Sequence, residues 1–145
     1  MKPLVVGLGS VDRGDDAVGV LVVRQVADVP GADVIEVSDP SRLVDLGAGR
    51  DVMVLVDAVS SGSAPGTVHV VEVGDQALPI RLAAASTHWV GLGHAIELAR
   101  VLDMLPARVV VVGIEAGALE SGSGLSAPVN EAMPLAVAVV LALLE

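Results

Sequence analysis

Apolar runs of strand length alternate with helical patterns along this chain. The runs are Leu4–Leu8, Asp33–Val37, Val52–Val56, Thr67–Val73 and Val109–Ile114. The first, third and fifth runs have continuously apolar stretches, which is typical of strands covered on both faces, as in a parallel sheet. The fourth run alternates between polar and apolar residues and follows Pro65 and Gly66. It therefore predicts an antiparallel strand at an edge of the sheet.

Helical periodicity fills the intervals between these runs. The predicted helices are Asp16–Val29, Ser41–Leu46, Trp89–Leu105 and Val129–Leu144. Strands that alternate with helices are joined by right-handed crossovers and form a layered sheet. We therefore predict an α/β fold in one domain, residues 1–145. It is a three-layer α/β/α sandwich with a mostly parallel sheet of about five strands, one of them an antiparallel edge strand.

Composition narrows the classes of function. The chain has 145 residues, of which 53% are hydrophobic, and this apolar content excludes disorder. Its 8 basic and 18 acidic residues make nucleic acid a poor partner. Mean hydropathy is +0.74, but the longest apolar stretch, residues 132–144, contains Pro134 and falls short of the roughly 20 residues that span a bilayer. No membrane partner is expected.

Two further features bear on location and chemistry. The glycines at positions 7 and 9 follow the N-terminus too soon for the apolar region of a signal peptide. We therefore expect a cytoplasmic protein. The sequence has no cysteine, which excludes disulfides, thiolate metal ligands and cysteine nucleophiles.

Polar residues follow the ends of the predicted strands, where open α/β sheets bind their ligands. Asp16 comes soon after the first strand, Asp57 directly after the third, and His88 just before the long helix. Two carboxylates and an imidazole suit a divalent cation and leave coordination positions open. The same groups could instead perform acid–base chemistry, since two neighbouring carboxylates do not both ionise easily.

Each of these residues also has a purely structural interpretation. Asp16 could be an acid at a helix N-terminus, and His88 could belong to an N-cap region. Asp57 could accept backbone N–H groups of Ser60 and Ser61 in an Asx turn. Their joint placement at strand ends is what favours a functional site.

Other classes fit less well. The Gly7-Leu8-Gly9 pair lacks the third glycine of a dinucleotide fingerprint, because residue 12 is aspartate. A phospho-acceptor receiver domain would use Asp15, Asp16, Asp57 and Thr87, but it also needs a lysine after the last strand, where this chain has Glu115. His69 on an edge strand and His94 on a helix are expected to be structural or exposed to solvent. Trp89 could line a cleft beside His88, but a packing role is favoured.

Taken together, five segments in order resemble the hydrogenase maturation proteases. They are residues 7–19, 54–59, 86–93, 113–115 and 124–129, and the resemblance runs from about Val5 to Val129. The chain departs from the family pattern at Ser10, where asparagine is common, at Ala17, where glycine is common, and at Ala116, where proline is frequent. It also has Ser38-Asp39-Pro40-Ser41 in place of a loop rich in glycine and threonine.

The resemblance implies a peptidase that removes the C-terminal extension of a nickel–iron hydrogenase large-subunit precursor. It implies that Asp16, Asp57 and His88 are the catalytic, metal-contacting residues. The nickel would arrive with the substrate, so no resident cofactor is expected. Candidate substrate-binding residues are Gly7, Gly9, Asp39, Thr87 and Glu115, although Asp39 could simply cap the short helix.

Two routes of cleavage remain open from the sequence. A carboxylate such as Asp16 could activate water, or the metal could polarise the carbonyl, so we expect an endopeptidase of aspartic or metal-assisted type. A non-catalytic module that recognises metal on the same precursor would need the same three residues. A germination-type endopeptidase is a further alternative, for which this chain is short. We expect a monomer.

Overall fold

The computed structural model describes residues 1–74, 87–117 and 124–145, and the side chains of Thr87 and His88 lie outside this description. The described residues contain five strands, β1 (Leu4–Leu8), β2 (Asp33–Val37), β3 (Val52–Val59), β4 (Val68–Val73) and β5 (Arg108–Glu115). They form one sheet in the order β2-β1-β3-β5-β4. All neighbours are parallel except β4, which pairs antiparallel with β5 at the edge. The predicted α/β fold and antiparallel edge strand are confirmed.

Two strands extend beyond the apolar runs that predicted them. β3 continues to Val59, and β5 ends at Glu115. Asp57 and Glu115 were expected just after their strands, but both lie within them. In-register pairing carries both strands this far, since Asp57 pairs with Gly113 and Val59 with Glu115.

Four α-helices within the described residues cover the sheet. They are α1 (Val18–Gln25), α2 (Leu43–Gly47), α3 (Thr87–Val101) and α4 (Ala127–Leu143), with 3-10 turns at Gly14–Ala17 and Pro40–Arg42 before α1 and α2. Two helices end earlier than the periodicity predicts. α1 stops at Gln25 instead of Val29, and α3 stops before a turn in which Asp103 has a positive φ of 57°. None of these described helices is long and apolar enough to cross a bilayer.

The hydrophobic core is split between the two faces of the sheet. Met53 and Leu55 of β3 join the cluster under α2 and α3, whereas Val54 and Val56 join the cluster under α1 and α4. This alternation follows from the two-residue period of a strand. Trp89 lies fully buried in the first cluster, which confirms its packing role.

Helix α1 lies against the main chain of the sheet. A Cβ atom on Gly19 would stand 2.6 Å from the carbonyl oxygen of Leu8 and would overlap that of Val56. Gly7 is equally confined, since its Cβ would stand 2.7 Å from the carbonyl oxygen of Gly19. Only glycine allows this approach, and it holds the start of α1 on the carboxyl ends of β1 and β3.

Helix α3 begins at the same edge of the sheet. A Cβ atom built on Gly91, in the second turn of α3, would lie 3.5 Å from the Pro40 side chain. Pro40 follows the end of β2. At the other end of α3, Arg100 donates a hydrogen bond of 2.7 Å to the carbonyl of Gly74, just past the end of β4. The α3 N-terminus therefore lies at the edge where β1, β2, β3 and β5 end, which we call the carboxyl rim.

Candidate functional site at the carboxyl rim

Asp57 is a fully buried carboxylate on the central strand β3. It has the same parity as Met53 and Leu55, so its side chain is on the face covered by α2 and α3. Its Oδ1 accepts the N–H of Ala58 at 2.8 Å. Of the alternative Asx-turn interpretation, the bond from Ser61 is wrong, because the Ser61 N–H donates to Glu115.

Asp16 lies in the 3-10 turn that leads into α1, and it is half-buried. Its Oδ2 accepts the N–H of Ser10 at 3.0 Å. Gly9 has a φ of 133°, and a Cβ there would overlap the carbonyl oxygen of Asp16. The segment between β1 and α1 therefore folds back on itself, which orients the Asp16 carboxylate at the end of its strand.

The fold brings these two carboxylates to one edge. β1 and β3 are direct neighbours, with Gly7 in register with Val56, the residue before Asp57. Gly19, three residues after Asp16, rests on the carbonyl oxygen of Val56. The main chain of the Asp16 turn is thus anchored next to Asp57.

His88 lies in the first turn of α3, whose N-terminus is at this rim. Its side chain lies outside the described residues, so the three predicted ligands stay a prediction. Among the residues that the structure does describe, no group of three or more histidine, aspartate or glutamate side chains could hold a metal ion.

Asp15 has a role that the sequence did not reveal. It is fully buried and accepts three hydrogen bonds from the described residues: from the N–H of Gly117 at 2.6 Å, and from the N–H and hydroxyl of Ser126 at 2.6 and 2.7 Å. It joins the Asp16 turn to the end of β5 and the start of α4. The pair of adjacent aspartates was the available signal, with one member fixing the turn and the other at the rim.

Glu115 is a third buried carboxylate, after Asp57 and Asp15, and it lies at the rim. Its oxygens accept the N–H of Ser61 at 2.8 Å, the Ser61 hydroxyl, and Nε2 of His69 at 3.2 Å. Burial by itself would raise the pKa of Glu115, but the hydrogen bonds from Ser61 and His69 outweigh it and hold the pKa below its ordinary value. Glu115 is therefore ionised at neutral pH.

The remaining candidates for substrate contact have varied surroundings. Gly7 is buried beneath α1, and Gly9 shapes the Asp16 turn. Asp39 caps the turn after β2, because its side chain accepts the N–H of Ser41 at 3.0 Å. The Thr87 side chain lies outside the described residues. Asp39 and Glu115 have structural roles at the rim, which a contact with substrate would not exclude.

Comparison with known proteins identifies the family. A family model described as hydrogenase maturation protease matches residues 24–143. The chain belongs to the hydrogenase maturation proteases. It is 30% identical to the Hydrogenase 2 maturation protease of Escherichia coli K12 over 154 aligned positions, covering 100% of this chain and 92% of that protein.

Solved structures of this family share the fold. The hydrogenase maturating endopeptidase HybD from Escherichia coli superposes with a TM-score of 0.88 at 26% identity, covering 99% of this chain and 92% of that one. The [NiFe] hydrogenase maturation protease HybD from Thermococcus kodakarensis gives a TM-score of 0.82 at 28% identity, covering 100% of both chains. A peptidase role in hydrogenase maturation follows from membership of the family.

Proposed function

We propose that this chain cleaves the C-terminal extension from a nickel–iron hydrogenase large-subunit precursor after nickel insertion, and that Asp16, Asp57 and His88 contact the nickel carried by that substrate. Family membership supports the peptidase class. The assignment of Asp16 and Asp57 to one site is supported by the close approach of Gly19 to the main chain of Leu8 and Val56, which anchors the Asp16 turn beside Asp57.

The two carboxylates are suited to different tasks. Each has one oxygen held by a main-chain N–H, that of Ser10 for Asp16 and that of Ala58 for Asp57, and this bond orients the carboxylate. Asp57 is fully buried, whereas Asp16 is half-buried and so has access to water. In this proposal Asp57 and His88 bind the substrate's nickel, and Asp16 contacts both the nickel and the attacking water.

Hydrolysis then needs a proton acceptor and a proton donor. Asp16 takes a proton from water as the water oxygen adds to the scissile carbonyl carbon, and nickel in the substrate can polarise that carbonyl. The C–N bond breaks, and the proton passes to the departing amine. No cofactor resident in the enzyme takes part, since the metal belongs to the precursor.

The decisive experiment is mass spectrometry of a large-subunit precursor, nickel-loaded or nickel-free, after incubation with this protein. We expect loss of a C-terminal peptide from the nickel-loaded form alone. Asp16→Asn, Asp57→Asn and His88→Ala should each abolish cleavage. Matched controls are Asp12→Asn, an exposed aspartate beside the same turn, and His94→Ala, an exposed histidine of α3, which should cleave normally.

Three outcomes would contradict the proposal in different ways. Undiminished processing by His88→Ala would remove His88 from the site. Stable binding of the nickel-loaded precursor without any change in its mass would identify a recognition module instead of an enzyme. Cleavage of the nickel-free precursor at the same rate would separate the peptidase activity from the metal.

A further inference from the structure

Strand β2 has a free edge. It is the outermost strand beside β1, and no strand of the described residues pairs with its other side. Successive residues of a parallel strand direct their main-chain groups to opposite sides. The N–H of Asp33 donates to the carbonyl of Pro3, just before β1, at 2.9 Å. The N–H and C=O groups of Val34 and Glu36, one and three residues later, therefore point away from the sheet.

A groove with a volume of about 380 Å³ lies along this edge. Residues 34–36 of β2 line it, together with Val23 and Ala27 from α1 and its end, and with Arg42 and Leu46 from α2 and the turn before it. The two walls come from opposite faces of the sheet, so the main-chain edge of β2 lies between them. A groove of this form is suited to an extended peptide that pairs with the strand.

Surface residues connect the groove with the carboxyl rim. β2 runs towards the rim, and Ser38 and Asp39, which follow it, are exposed. Asp16, in the turn after β1, is half-buried. A strand added to β2 would lie three strand spacings from β3, which is about 14 Å. An extended peptide covers that distance in about four residues, so a chain held at the rim can continue into the groove.

The groove carries positive charge on an acidic protein. The chain has a formal net charge of −10, yet two of its 8 basic side chains, Arg24 and Arg42, line this groove. Arg24 is neutralised by Glu36, to which it donates two hydrogen bonds of 2.9 Å. Arg42 is exposed and makes no ion pair with the described residues. The groove therefore favours a peptide with a carboxylate near Arg42.

We propose that the free edge of β2 binds the C-terminal extension of the precursor as an added antiparallel strand, with a carboxylate of the extension at Arg42. This inference rests on the proposed function, because it assigns a docking site to the same substrate. The extension leads away from the scissile bond at the rim, whereas β2 runs towards the rim, so the two strands are antiparallel. Three consecutive residues of the extension, beginning about four residues after the scissile bond, then satisfy all four main-chain groups of Val34 and Glu36.

Proline at position 34 tests the added strand. It removes an N–H that makes no bond to β1, and edge strands tolerate proline at such positions. We expect Val34→Pro to raise KM for the nickel-loaded precursor about tenfold, with kcat within about twofold of wild type, because the extension loses a hydrogen bond. An unchanged KM would overturn the proposal.

The matched control is Val70→Pro on β4, the other edge of the sheet. Val70 is half-exposed. Its N–H also points outwards, since it lies three residues after Thr67, whose carbonyl accepts the N–H of Glu115. Val70→Pro should leave KM unchanged. An equal rise of KM in both proline variants would mean that the effect is not specific to β2, and would overturn the proposal.

The charge has a separate test. Arg42→Gln should raise KM about threefold, the effect of losing one exposed ion pair, and high salt should abolish the difference. Arg108→Gln, which changes an exposed arginine at the start of β5, should leave KM unchanged. Equal KM values for wild type and Arg42→Gln at low salt would overturn the placement of a carboxylate at Arg42.

Amide hydrogen exchange followed by NMR gives a readout that does not depend on cleavage. The probe is the nickel-free precursor, since the groove contacts no nickel. Its addition to the wild type should slow exchange of the Val34 and Glu36 amides about tenfold and leave that of Val70 unchanged. Unprotected amides with normal cleavage of the nickel-loaded precursor would overturn the docking site alone.

Two other outcomes separate the docking site from its alternatives. Protected amides without cleavage of any precursor would support the docking site and overturn the peptidase proposal. Protection that appears in the enzyme alone and increases with its concentration would show that a second copy of this chain pairs with β2, and would overturn the assignment to the precursor.

Discussion

Asp15 and Ser126 are joined by two hydrogen bonds, although 111 positions of the chain separate them. Ser126 is the N-cap residue of α4, yet its hydroxyl makes no capping bond to the helix. It donates to Asp15 instead, and the carboxylate lies at the positive end of the helix dipole. These hydrogen bonds attach the Asp16 turn to α4, the helix near the other end of the sequence.

Asp15→Asn should destabilise the protein strongly. The amide keeps one acceptor oxygen and turns an NH₂ group towards buried donors, so at least one of the three donors loses its partner. A buried donor left unsatisfied costs about 1–3 kcal/mol, and we expect a loss of about 2–3 kcal/mol in the free energy of unfolding. Urea denaturation monitored by circular dichroism measures it.

Two variants calibrate that loss. Ser126→Ala removes the hydroxyl donor but keeps the main-chain N–H, and should cost only about 1 kcal/mol. Asp12→Asn changes an exposed aspartate near the same turn and should stay within about 0.5 kcal/mol of wild type. Equal stability of Asp15→Asn and Asp12→Asn would mean that the buried carboxylate contributes nothing.

Alanine at two helical glycines should have opposite effects. Gly19→Ala forces a Cβ against two main-chain oxygens, which side-chain movement cannot relieve, and should destabilise by about 1–3 kcal/mol. Gly93→Ala in α3 meets no heavy atom of the described chain within 4 Å and should stabilise by about 0.5–1 kcal/mol. Thermal unfolding of both variants checks this, and a stabilising Gly19→Ala would refute the close contact.

Acid should weaken the folded state through Glu115. Its folded pKa lies below its ordinary value, so its contribution to stability is present above the unfolded pKa and is lost as pH falls through the folded pKa. Glu115→Gln should therefore be less stable than wild type at pH 7, and the difference should shrink below about pH 4. Denaturation curves at several pH values measure the difference.

The control for the pH series is Glu131→Gln, which changes an exposed glutamate of α4. It should follow the wild-type curve throughout. If the difference between wild type and Glu115→Gln stayed constant from pH 7 to pH 3, the hydrogen bonds from Ser61 and His69 would not favour the ionised form.

Asp39 should separate capping from substrate binding. Serine caps about as well as aspartate, so Asp39→Ser should keep the stability within about 0.5 kcal/mol, while Asp39→Ala should lose about 1 kcal/mol. If the carboxylate also contacts the precursor, both variants should raise KM about tenfold. A KM that rises only in the alanine variant would assign Asp39 to the cap alone.

The sequence predicts the sheet well because apolar burial decides it. The strands β1 and β2 coincide with their apolar runs, and the antiparallel edge strand was predicted from alternation and from Pro65-Gly66. Asp57 and Glu115 are the exceptions, because both lie inside strands that were predicted to end before them. Glu115 is stabilised inside its strand by hydrogen bonds from Ser61 and His69, which are 54 and 46 residues away, and hydrophobic patterning contains no information about such bonds.

The same limit applies to the site. Strand ends pointed to Asp16 and Asp57, because topology alone brings them to the rim. His69 was expected to be structural or exposed, and the sequence did not indicate its partner, a buried glutamate 46 residues away. The Asp15 bonds span still longer separations. Only the folded chain shows which polar residues share a hydrogen bond.

Gly19 contacts two main-chain carbonyl oxygens, and this contact determines which substitutions leave the rim unchanged. The spacing between the Asp16 turn and Asp57 is set by backbone against backbone, with no side chain in between. Volume-preserving exchanges among the valines, leucines and alanines of the core would alter stability but leave that spacing intact. Many core residues can therefore be substituted while the geometry of the rim stays the same, provided that residue 19 stays glycine.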